Sequence, residues 1–154
     1  MLSRARSRRV VAAVGVAVAA VSLAACDKPA QSITAQAGST ALKVNPSTFC
    51  SDGEHCKTYD IGKTLPALTI APDGKVLVDV PKQLVGRGWA INAVDVDGKT
   101  QLGNTGAITD SHSYRLTASV NNGKPFIVQV VQLKGNKTDG SLWSFLVKPS
   151  ATKS

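Results

Sequence analysis

The residues able to do chemistry fall in three places. Cys50, His55 and Cys56 lie within one short stretch, and His112 is the chain's other histidine. Thiolates and imidazoles ligate metals, but this cysteine spacing does not fit a usual zinc pair, and no second cysteine pair follows. No methionine follows Met1, so a thioether copper set is missing too. The favoured reading is a Cys50–Cys56 disulfide with His55 a bystander, formed in an oxidising compartment. Closing so short a loop contributes ~2.4 kcal/mol on the chain-entropy estimate, a local staple and not a bridge across the fold. Asp110, Ser111 and His112 hold the letters of a hydrolase triad. Adjacent residues on extended chain point to opposite faces, so the three do not form that geometry among themselves. Asp95 and Asp97 invite a glycosidase or calcium reading. The rest of a calcium loop is missing, and Asp97-Gly98 is sufficiently explained as a turn. Asn136-Lys137-Thr138 fits a glycosylation sequon by pattern alone. No catalytic residue, metal or cofactor is expected. The alternative kept open is a small envelope hydrolase or metal-handling protein using His112 or the Cys50/His55/Cys56 loop.

The third cysteine stands apart. Arg4, Arg6, Arg8 and Arg9 precede an apolar run from Val10 to Ala25, which ends in Leu23-Ala24-Ala25-Cys26. The run is the length of a signal h-region and shorter than the ~20 residues of a spanning helix. A basic head, an apolar middle and small residues before a cysteine resemble the lipobox of a bacterial lipoprotein. That resemblance implies a diacylglyceryl group on Cys26, cleavage before it, and two acyl chains, enough for stable anchoring. Ser7-Arg8-Arg9 also resembles part of a twin-arginine export signal, so the general secretion and twin-arginine routes both stay open.

The chain has 18 basic and 10 acidic residues, a formal net charge of +8. Four of the arginines lie before Cys26 and every acidic residue after it, so the net charge from Cys26 onward is only +4. No basic block with interleaved aromatics occurs, which argues against nucleic acid. Weak attraction to anionic lipid or cell-wall polymer is compatible with this charge.

The elements that position these residues read as strands. No window after Cys26 sustains a 3.6-residue apolar period. Residues 26–39, with Ile33 their one large apolar side chain, read as the lipidated cysteine and a flexible tether reaching ~20 Å. Residues 40–150 read as the folded domain. Thr40–Val44 is a short strand ending at Asn45-Pro46-Ser47, and Lys57–Ile61 is extended. Ala67–Ile70 and Lys75–Val80 read as a hairpin around Asp73-Gly74. One helical turn over Lys82–Arg87 precedes a Trp89–Val96 strand, whose two apolar faces suggest a bulge near Ala93. Gly103–Ser111 is a loop and Ser113–Val120 a strand. Phe126–Leu133 is expected to be central and buried on both faces. Gly135–Ser141 is a polar connector before a closing strand, Leu142–Val147. Short strands with turn chemistry between them argue for an all-β, immunoglobulin-like antiparallel sandwich with Trp89, Phe126 and Val128 in its core.

Leu23–Pro29, the cysteine pair, Val78-Asp79-Val80-Pro81 and Arg87-Gly88-Trp89 together resemble a family of short, uncharacterised actinobacterial lipoproteins, known mainly as a domain of unknown function. The resemblance brings no activity and no catalytic residues. The functional expectation is a non-catalytic binding or structural module on the extracytoplasmic face of the cell membrane, anchored by lipid at Cys26. Its partner would be an envelope protein or cell-wall polymer, met by Gly103–Ser111, the cystine loop or Gly135–Ser141.

Overall fold

A computed structural model describes residues 30–51, 55–60 and 64–150; the signal segment, Cys26 and the last four residues lie outside them. Among the described residues, eleven strands form two sheets. The smaller sheet joins β1 (Ile33–Ala37), β2 (Thr40–Val44), β6 (Lys75–Asp79) and β9 (Ser113–Thr117) in the order β2-β1-β6-β9, every pair antiparallel. The larger contains β3 (Thr48–Cys50), β4 (Cys56–Thr58), β7 (Trp89–Asp95), β8 (Gln101–Asn104), β10 (Phe126–Lys134) and β11 (Lys137–Pro149) in the order β4-β3-β11-β10-β7-β8. Its seventh strand, β5 (Ala67–Ile70), runs parallel to the last residues of β11.

The sheets pack as the expected sandwich. Alternation places every second residue inward. Phe126, Val128 and Val130 of β10 and Trp143, Phe145 and Val147 of β11 are buried from the larger sheet. They share one core with Ile33, Ala35, Val76 and Val78 of the smaller sheet. Trp89 is fully buried too, and its indole N–H donates to the Ser111 carbonyl at 2.8 Å, so the ring's polar end is satisfied. The disulfide joins neighbouring strands of one sheet and does not bridge the two.

Several expectations are corrected. Of the tether expected over residues 26–39, Ile33–Ala37 form β1, which lies between β2 and β6, while residues 26–29 lie outside the described residues. Ala35 is as buried as any large residue, and Gly38, at φ +57°, turns the chain straight into β2. The folded domain therefore begins before residue 40. β5 and β6 are not a hairpin. The Gly74 N–H donates to the Ala71 carbonyl at 2.8 Å, closing a turn that carries the chain from the larger sheet to the smaller. The bulge lies in β8 and not in β7. Pairing of β7 with β10 is unbroken, while its register with β8 shifts between Ala93 and Val94. Central β10 is buried on one face only; Ile127, Val131 and Leu133 line its half-exposed outer face. The presumed connector at 135–141 is a tight turn at Gly135-Asn136 plus the start of β11. The helical turn was expected, and α1 spans Lys82–Val85.

Candidate functional site

The disulfide comes first because its surroundings are the most constrained. Cys50 and Cys56 are joined and face each other across the β3–β4 ladder. Cys50 is buried and Cys56 exposed. The bond lies against the backbone of β11. A Cβ on Gly140 would meet Cys50 Sγ at 2.9 Å, and Gly140 has φ +95°, so the position needs glycine twice over. The Cys50 N–H donates to Ser141 Oγ at 2.9 Å. Asp139 is buried beside it. One carboxylate oxygen accepts the Ser141 N–H at 2.8 Å; the other has no hydrogen-bond partner and lies 3.8 Å from Arg87 Nη1. Arg87 also donates to the Ser51 carbonyl at 3.3 Å, tying β3 to the chain after α1. The arrangement is a structural clamp. With both thiolates in the disulfide, the Cys50/His55/Cys56 loop lacks the ligands its metal alternative needs. Among the described residues, no group of three His, Cys, Asp or Glu is placed to hold a metal ion. His55 is exposed.

Asp110, Ser111 and His112 form a turn into β9. Ser111 Oγ donates to the Ser113 carbonyl and accepts the Ser113 N–H, at 2.8 and 3.1 Å. The His112 carbonyl accepts the Val80 N–H, while the residue as a whole is exposed. The hydroxyl is thus engaged by its own loop. Asp95 and Asp97 each accept a backbone N–H, from Val96 and Lys99, as turn residues do. The Gly103–Ser111 segment is held to β7: Ile108 and Trp89 exchange two backbone hydrogen bonds, and Thr105 Oγ1 accepts the Ile91 N–H.

A recess lies elsewhere, on the outer edge of β11, and sequence reasoning missed it. It has a volume of about 560 Å³, within the range that small-ligand sites occupy. Ser144, Pro46, Pro66, Lys43, Asn45, Tyr59 and Asp60 are among the residues that line it. Its origin can be derived from strand geometry. Successive residues of a strand direct their backbone N–H and C=O to opposite sides. The Leu146 N–H donates outward to the Pro66 carbonyl, the Ser150 N–H outward to Ile70, and the Leu142 carbonyl accepts outward from Ser47. Ser144 therefore also directs its N–H and C=O outward, away from β10. On the β3 side the last backbone bond is the Ser47 N–H to the Leu142 carbonyl, and Pro46, next in the chain, lines the recess. On the parallel β5 side, the next donor toward the Ser144 carbonyl would be residue 66, again proline. Pro66 has no N–H, so β5 does not extend across the gap. Among the described residues, no backbone group pairs with Ser144 on this side. The prolines were visible in the sequence. What they flank was not, because Ser144 is far away along the chain.

Residues 26–138 match the family model described as "Protein of unknown function (DUF2771)". No curated protein and no solved structure matches the chain.

Proposed function

We propose a function for this chain, which belongs to the DUF2771 family of unknown function, from its own residues. It is an extracytoplasmic lipoprotein, held on the cell membrane by a diacylglyceryl group on Cys26, and it binds an envelope protein or cell-wall polymer without catalysing a reaction. The binding half rests on the Ser144 recess, an open gap in a sheet edge that is otherwise paired. The anchoring half rests on Leu23-Ala24-Ala25-Cys26 behind its basic and apolar leader. A Cys50–Cys56 disulfide is what an oxidising compartment favours, and it supports export. The immunoglobulin-like detail and the actinobacterial lipoprotein kinship belong to this same reading.

Metabolic labelling with a palmitate analogue tests the anchor. Wild type should label and Cys26→Ala should not, with the variant lost from the membrane fraction; equal labelling refutes it. Cross-linking on intact cells tests the binding half. A specific adduct should form with an envelope component and vanish when the recess is blocked. Turnover of an ester, peptide or glycan by the purified protein, lost in His112→Ala, would replace binding with the hydrolase alternative.

A further inference from the structure

The recess has a chemical specificity that can be read from its base. Ser144 is only 8% exposed, so its backbone groups lie in an enclosed position. Buried backbone N–H and C=O groups are nearly always paired, by protein, water or ligand. Here one N–H and one C=O of the same residue point into the same recess, with the donor–acceptor spacing that a neighbouring strand reads. The complement is a group presenting one acceptor and one donor at that spacing, which is a residue of extended polypeptide.

We infer that the recess binds a short extended peptide segment, one residue of which pairs with Ser144 by donating its N–H to the Ser144 carbonyl and accepting the Ser144 N–H. The segment fills the missing rung between β3 and β5. This is strand addition in miniature: main-chain hydrogen bonds supply affinity, and the flanking walls select side chains. Pro66 keeps the rung vacant, since an N–H at residue 66 would reach the Ser144 carbonyl and let β5 extend. Lys43, Asp60, Asn45 and Tyr59 line the recess, so charges of both signs, an amide and an aromatic ring stand beside the segment's side chains. The inference rests on the binding reading above and deepens it.

The test is a titration of the ¹⁵N-labelled full chain with a blocked dipeptide, N-acetyl-Ala-Ala-N-methylamide, followed by NMR. Two further probes are its depsipeptide, in which one amide N–H is replaced by an ester oxygen, and N-acetylglucosamine. The expected result is a saturable shift centred on the Ser144 amide, with affinity roughly 5–10-fold weaker for the depsipeptide, the loss expected for one backbone hydrogen bond. Pro66→Ala should abolish the response by supplying the missing donor. Should that variant fail to fold, the amide-to-ester comparison on the unaltered chain decides by itself. No shift at Ser144 up to the peptide's solubility limit would overturn the inference, as would equal affinity of amide and ester. A response to the sugar but not to the peptide would assign the recess to an N-acylated glycan and also overturn it. A partner cross-linked elsewhere on the domain would leave the general binding reading standing while this one fell.

Discussion

The outer edge of β11 is treated in opposite ways within a few residues. From Asp139 to Leu142 it is covered by β3 and β4, with a disulfide lying on Gly140 and a buried carboxylate beside it. At Ser144 it is open. The covered end depends on residues that allow close approach: a glycine with no Cβ, and a serine whose hydroxyl receives the Cys50 N–H. The open end depends on Pro66, which cannot continue the pairing of β5, and is bordered on the β3 side by Pro46. Exposed sheet edges invite association, and proteins commonly blunt them with proline. Here proline on the β5 side leaves a recess the width of one rung, too short for indiscriminate strand pairing and wide enough for a specific segment.

Substitutions on β11 should break this contrast to different degrees. Trp143 lies beneath both ends, is fully buried, meets Phe49 edge to face at 6.3 Å, and donates its indole N–H to the Gln31 carbonyl at 2.7 Å. Trp143→Ala should cost ~3–5 kcal/mol in chemical denaturation and loosen both ends together. Gly140→Ala should act on the covered end alone. Strain at positive φ and the clash with Cys50 Sγ together should cost ~2–4 kcal/mol, leaving the Ser144 recess unchanged by NMR. Replacing Cys50 and Cys56 together by serine should cost ~2.4 kcal/mol on the loop-entropy estimate. The smallest effect belongs to Lys43→Ala on the rim, with a stability change within ~0.5 kcal/mol.

The same contrast shows what was legible in the sequence. Strands with clear alternation, such as Val76 and Val78 in β6, were read correctly, as were the Asp97-Gly98 turn, the Cys50–Cys56 pair and the core places of Trp89, Phe126 and Val128. β1 was missed because its inward residues include Ala35, whose small side chain carries little hydrophobic signal although it is fully buried. The covered end was half legible. Cysteine parity gave the disulfide, but Gly140 looked like one more loop glycine until the sulfurs were placed on it. The recess was illegible for a simple reason: its base and its two ends come from distant segments, and an unpaired backbone group leaves no mark on residue type. Pro46 and Pro66 were readable as strand ends, though not as the ends of one gap.

Amide hydrogen exchange across β11 tests the central claim most directly. The Trp143 and Phe145 amides pair with β10 and should be strongly protected, and the Leu146 amide is held by Pro66. The account requires the Ser144 amide to exchange at least ~100-fold faster than the Trp143 and Phe145 amides, because local protection follows hydrogen bonding and the Ser144 N–H has no backbone partner among the described residues. Ser144 protection equal to theirs would mean that the edge is closed there, and would contradict the recess as a binding site.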